Sequence, residues 1–240
     1  MAYLQLNNLN FSYNQSENIL KNINFSIEKG EILAILGESG SGKSTLLRLI
    51  SGFETAQEGA LYIDNKKIFE GFHKVPVEKR GIGFVFQDYA LFPHLTVEEN
   101  IKFGLDKLNK KEKEQRVEKM LQLVSLKDFS KKYPHELSGG QQQRIALARA
   151  LAPEPKLILF DEPFSNLDAN LQGKIREELK EILKNTETTA LFVSHNKEDA
   201  LHIADKAIVL YKGDIVQEGN PQEIYDNPKT PYVAHLFGIN

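Results

Sequence analysis

Residues 32–50 read ILAILGESGSGKSTLLRLI. Ile32 to Leu36 form an unbroken apolar run, as expected of a strand buried on both faces. Leu46, Leu47, Leu49 and Ile50 then turn to helical spacing. Between them Gly37, Gly42, Lys43 and Ser44 fit G-x-x-x-x-G-K-[ST], in the strand–loop–helix setting that gives this pattern its meaning. Glycines there let successive backbone N–H groups curl around a phosphate, and the helix adds the positive end of its dipole. The intervening Glu38, Ser39, Gly40 and Ser41, and Thr45 just after, belong to the same loop. Lys43 is expected on the β- and γ-phosphates and the Ser44 hydroxyl on Mg²⁺. The stretch predicts a nucleoside triphosphate site in an α/β fold.

Working outward, residues 2–28 alternate in the manner of strands, and ALYIDNKKIF (60–69) reads as a hairpin around Asp64-Asn65. GIGFVFQ (81–87) is another expected strand. From about residue 90 to 152 the pattern is helical. Thr96 followed by Glu99 predicts a capped helix start, and Val117, Met120, Leu121 and Val124 make one apolar stripe within 110–126. LILFD (157–161) and ALFVSH (190–195) are again buried strands, joined by the amphipathic IREELKEILKN. That is a β-α-β unit and hence a parallel sheet. AIVLYKGDIVQEG (207–219) predicts a hairpin turning at Lys212-Gly213-Asp214. The helical stretch looks inserted into an α/β core.

Asp161 is expected to end its strand where a carboxylate can hold Mg²⁺, with Glu162 next to it to polarise an attacking water. His195 closes another strand at the edge where open α/β sheets bind ligands. The remaining five of the six histidines lack metal spacing, and no chemistry is assigned to them. Composition narrows the classes further. An apolar share of 41% and a charged share of 26% suit a globular protein, and a net charge of −3 gives no general basic field for nucleic acid. Cysteine is absent, so neither a disulfide scaffold nor a thiolate metal site is available. No signal peptide and no bilayer-spanning apolar run is read, so any membrane role is expected to pass through a partner.

One segment has no place in a bare phosphate-binding core: LSGGQQQRIALARAL, residues 137–151, puts two glycines before a helical pattern. With LSGGQ added, the chain resembles the nucleotide-binding subunits of ATP-binding cassette (ABC) transporters over essentially its whole length. The resemblance implies one domain over residues 1–240. It has a P-loop NTPase core of mixed, mainly parallel sheet (1–89 and 156–240), an N-terminal antiparallel β-subdomain, and an inserted helical subdomain (90–155). It further implies that Tyr13 stacks on adenine, that Gln87 touches Mg²⁺ and the attacking water, and that Asp168 makes a dimer contact. Asn166 stands where alanine is more usual. Two copies are expected to sandwich two ATP head to tail, so that Ser138, Gly139, Gly140 and Gln141 of one copy close on the ATP held by the other. Glu162 is then the base, and His195 steadies the transition state.

VPVEKRGIGFVFQDYALFPHLTVEENIKFGL (75–105) resembles the ATPases of binding-protein-dependent importers. The resemblance implies a separate integral-membrane permease docking near Phe92, Pro93 and His94, a solute-binding protein acting indirectly, no nucleic acid, and a peripheral position on the cytoplasmic face of the inner membrane. QDYALFPHLTV and PYVAHLFG look closest to ferric-iron-type ATPases. Polyamine, thiamine, sulfate and sugar import stay open as alternatives. The ending at PYVAHLFGIN is expected to leave no C-terminal regulatory β-domain. A soluble ABC ATPase and a simple P-loop kinase are the rivals from other classes, and LSGGQ argues against the kinase.

Overall fold

A computed structural model describes residues 2–13, 18–167 and 169–239. The alternation at the start of the chain becomes two antiparallel strands, β1 (Leu4–Phe11) and β2 (Leu20–Ile27). The apolar run is β3 (Ile32–Leu36), and the helical spacing after it is α1 (Lys43–Ser51). β4 (Glu58–Ile63) and β5 (Lys66–Glu70) form the expected hairpin. Its turn residues Asp64 and Asn65 have φ of 52° and 55°, the left-handed pair whose twist matches the flanking strands. A short β6 (His73–Lys74) completes an antiparallel sheet ordered β2-β1-β4-β5-β6.

β7 (Ile82–Val85) is shorter than the strand expected over 81–87, so Gln87 lies past its end rather than closing it. Residues 90–155 contain three α-helices, α2 (Val97–Lys102), α3 (Lys110–Leu123) and α4 (Gly139–Leu151), with two short 3-10 turns between α3 and α4. Thr96 and Glu99 form the predicted capping box, and the same reciprocal device recurs at Asn109/Glu112 and at Ser138/Gln141. Val117, Met120 and Leu121 are the buried stripe of α3, and Val124 is its C-cap.

The chain then runs through β8 (Leu157–Asp161), α5 (Ala169–Asn185), β9 (Thr189–Ser194), α6 (Lys197–Ile203), β10 (Lys206–Tyr211), β11 (Asp214–Gly219), α7 (Pro221–Asp226) and α8 (Pro231–Leu236). The hairpin turn after β10 is only Lys212-Gly213, with φ of 49° and 85°, so Asp214 already belongs to β11. The second sheet is ordered β11-β10-β3-β9-β8-β7 and is parallel throughout except for the β10–β11 hairpin. This is a P-loop NTPase core: a mixed, mainly parallel sheet with an antiparallel sheet and helices packed on it.

β3 explains how the layers meet, because its side chains alternate between two cores. Ile32, Ala34 and Leu36 pack in one cluster with residues of α2 to α6, including Val97, Ile145, Ile175 and Ala200. Leu33 and Ile35 face the other, with Leu46, Leu47, Leu49 and Ile50 of α1 and the inner residues of β1, β2 and β4. A strand with polar residues on either face could not do this. The helices of the phosphate loop and of LSGGQ thus lie on opposite faces of one sheet.

Candidate nucleotide site

The site is an edge. β3, β9, β8 and β7 are parallel neighbours, so their carboxyl ends deliver Gly37, His195, Asp161 with Glu162, and Gln87 to one side of the sheet. Register sets the order: Leu36 pairs with Ser194, Asp161 with Val193, and Val85 with Phe160. Open α/β sheets bind their ligands at this edge.

The glycines of the phosphate loop are required by their surroundings. A Cβ on Gly37 would lie 2.4 Å from the Leu210 carbonyl oxygen. On Gly42, at φ +106°, it would lie 2.8 Å from a methyl of Leu20. Glu38, Ser39 and Gly40 are exposed, Ser41 to Lys43 are buried, and Ser44 and Thr45 are half-buried. Ser41 Oγ is buried inside this loop with no hydrogen-bond partner. Lys43 Nζ donates to the carbonyls of Gly37 (2.7 Å) and Glu38 (2.9 Å). Burial lowers its pKa, partly offset by the carboxylates of Glu162, Asp161 and Glu38.

Ser44 Oγ donates to Asp161 Oδ1 at 3.0 Å, which joins the loop to the end of β8. Burial raises the Asp161 pKa, and Glu162 adds to that; the Ser44 hydrogen bond, Arg48 and Lys43 oppose it. These hard oxygen donors suit Mg²⁺, which takes few protein ligands and fills its shell with water and phosphate. Among the described residues no group of three or more His, Cys, Asp or Glu is gathered as a metal cage.

Glu162 has φ +45°, an uncommon conformation for a residue with a side chain. Its N–H donates to Val193 O at 3.1 Å, and its carbonyl accepts from Ser165 N (3.2 Å) and Ser165 Oγ (2.9 Å). The turn so pinned leaves Glu162 Oε2 3.2 Å from His195 Nδ1. Ser194 Oγ, just before His195, donates to Asp199 and accepts from Asn196 N, so the histidine is bracketed on both sides. Asp199 is in turn held by buried Arg176 of α5 at 2.7 Å. Nothing in IREELKE sets Arg176 apart from its charged neighbours, so no signal in the sequence points to it.

Gln87 Nε2 donates to Ser165 Oγ at 3.1 Å, and Asn166 Nδ2 donates to the Gln87 carbonyl at 2.8 Å. The unusual Asn166 therefore ties the segment after Glu162 to the residue expected to meet the attacking water. The turn beyond Gln87 has φ of 63° at Tyr89 and 44° at Ala90. Arg149 of α4 spans their carbonyls, at 3.0 and 2.7 Å. Asp168 lies outside the described residues. Tyr13 is half exposed and meets Phe11 edge-on at 4.9 Å. Phe11 pairs with Leu20, the residue against Gly42, so this hairpin borders the phosphate loop.

Ser138, Gly139, Gly140 and Gln141 start α4. Among the described residues no hydrogen bond joins them to Gly37–Thr45. Ser138 and Gly139 are exposed. Gly140 is buried, and a Cβ there would lie 3.1 Å from Leu171. Phe92 is half-buried against Phe103, and Pro93 and His94 are exposed. No helix among the described residues is long and apolar enough to cross a membrane.

Comparison with known proteins bears on the family of the chain. The chain is 46% identical over 225 residues to the sulfate/thiosulfate import ATP-binding protein CysA of Halalkalibacterium halodurans, covering 91% of this chain and 62% of that protein. It is 43% identical over 237 residues to the Fe(3+) ions import ATP-binding protein FbpC 2 of Haemophilus influenzae, covering 98% of this chain and 66% of that one. The chain thus spans a little under two thirds of the length of these relatives. Among solved structures, cbiO1 from Clostridium perfringens, part of the ABC transporter complex cbiONQ, superposes with a TM-score of 0.87 at 32% identity, covering 99% of both chains. The family model for ABC transporters matches residues 20–165, from β2 through the phosphate loop and LSGGQ to the turn after Glu162. More than half of the chain is matched, and the chain belongs to the ABC transporter family.

Proposed function

We propose that this chain is the ATP-hydrolysing subunit of an importer, working as a pair of copies on the cytoplasmic face of the inner membrane beneath a separate permease. Two observations support the pairing. Lys43, Ser44, Asp161, Glu162 and His195 converge at one sheet edge. Ser138 to Gln141 sit apart from them, at the start of a helix on the other face of the sheet. In this reading each LSGGQ completes the ATP site of the partner copy. Residues 90–155 act as the helical subdomain that carries it, and Asp168 contacts the partner.

The chemistry assigned to the site is attack of water on the γ-phosphorus. The new bond is from water oxygen to phosphorus, and the bond from phosphorus to the β,γ-bridging oxygen breaks, releasing ADP and phosphate. Glu162 takes the water proton, Gln87 orients that water, and His195 meets charge on the γ-phosphate. Lys43 and the loop N–H groups hold the β- and γ-phosphates, and Tyr13 stacks on adenine. Mg²⁺ held by Ser44, Asp161 and Gln87 would offset phosphate charge.

Relatives whose names give sulfate/thiosulfate and Fe(3+) are 46% and 43% identical, so similarity at this level does not single out a solute. We keep ferric iron as the first proposal, with polyamine, thiamine, sulfate and sugar as the others. The test of the ATPase reading is Glu162→Gln. This variant should bind ATP, fail to turn it over by a factor of about 100–10,000, and double its apparent mass in ATP but not in ADP. Wild-type turnover would sink the assignment of the base.

A further inference from the structure

We infer that Tyr232, on the last helix of the fold, is a positioning residue for the phosphate loop, holding the Glu38 peptide so that the loop is preformed for the nucleotide's β-phosphate. The inference rests on the nucleotide reading of the site. The Glu38 N–H donates to the Tyr232 hydroxyl at 3.0 Å, across 194 residues of sequence. The same hydroxyl approaches Leu210 O at 3.5 Å, the carbonyl against which Gly37 packs. A phenol is protonated at neutral pH and can accept and donate together, and burial raises the Tyr232 pKa further.

The hold is rigid because α8 is anchored. Val233 and Phe237 are fully buried, Thr230 caps the helix, and the Tyr232 ring lies on Tyr211 with centroids 4.1 Å apart. From the far end of α8, the Phe237 carbonyl accepts from Lys197, two residues past His195. One short helix therefore grips the phosphate loop and the histidine segment together. Lys43 holds the carbonyl side of the same loop peptides, through Gly37 O and Glu38 O. In the proposed complex Lys43 turns to phosphate and gives up these carbonyls. Tyr232 engages the loop from the other side of the Gly37–Glu38 peptide, through the Glu38 N–H alone, so it can stay in place while the later loop N–H groups turn to phosphate.

Tyr232→Phe removes the hydroxyl and keeps the ring on Tyr211. Calorimetric titration should give ATP and ADP affinities weakened about three- to tenfold, the range of one hydrogen bond. AMP, which lacks the β-phosphate, should bind as it does to the wild-type chain, and the melting temperature should fall by no more than about 2–4 °C, the cost of one hydrogen bond in a chain of this size. Unchanged ATP affinity, or an equal loss for AMP, would overturn the inference. Lys43→Ala is the control for the underlying reading: it should lose ATP binding far beyond Tyr232→Phe. If Lys43→Ala binds ATP normally, the nucleotide site itself is misassigned and the inference falls with it.

Discussion

Glu162 shows how hydrogen bonds can hold a single residue in an uncommon backbone conformation. Its φ of +45° suits glycine far better than glutamate, and hydrogen bonds from Ser165 and to Val193 hold it there. Strain of this kind gathers at functional sites, where it fixes a side chain that a relaxed backbone would aim elsewhere. The expected outcome inverts a usual rule. Glu162→Gly should be more stable than Glu162→Ala by about 1 kcal/mol, measured by urea unfolding, although both lose turnover. Equal stabilities would mean that the backbone relaxes on truncation. Asn166 belongs at this scale too, since its hydrogen bond to the Gln87 carbonyl is one that alanine could not make.

At the scale of elements, α4 joins the signature segment to the turn after Gln87. Its first turn carries the Ser138/Gln141 box, and its last carries Arg149, whose guanidinium holds the carbonyls of Tyr89 and Ala90. Gly139 is exposed, and a Cβ there would lie 3.6 Å from Leu167, an ordinary contact. Gly139→Asp should therefore fold, bind ATP and yet fail both to hydrolyse it and to dimerise, as sedimentation with ATP can check. A variant that hydrolyses normally would remove LSGGQ from the proposed partner site. α2 offers a pH test. Its Glu98 is hydrogen-bonded by Lys131 at 2.7 Å, which holds its pKa below the ordinary 4.5. The carboxylate's contribution is present above pH 4.5 and lost as pH falls through the lowered value. The stability difference between wild type and Glu98→Gln, about 1 kcal/mol or less, should accordingly shrink in acid. A difference that is flat with pH would assign the effect to something other than ionisation.

For the molecule as a whole, the pairing of layers matters more than any one of them. Arg176 of α5 meets Asp199 of α6, which steadies the end of β9 through Ser194 beside His195. Removing one side of a buried ion pair leaves the other charge stranded, so Arg176→Ala should cost about 3–5 kcal/mol in urea unfolding. A cost below 1 kcal/mol would mean that the pair is effectively solvated. How much of this was legible from residues alone follows from the range of the forces involved. The phosphate loop, the buried strands, the Asp64-Asn65 turn and the Thr96 cap rest on periodicity, glycine conformation and capping, which act within a few residues, and ILAILGESGSGKSTLLRLI by itself determined the strand, loop and helix of the core. Strand ends were less legible, because β7 stops where pairing with β8 stops, and that depends on chain 75 residues away. Only the tertiary structure decided that Ser44 meets Asp161, that Asn166 holds Gln87, that Arg176 pairs with Asp199, and that Tyr232 reaches Glu38. Those contacts join side chains whose local patterns are unremarkable, and the parallel order of β3, β9, β8 and β7 is what brings the nucleotide-site groups to one edge.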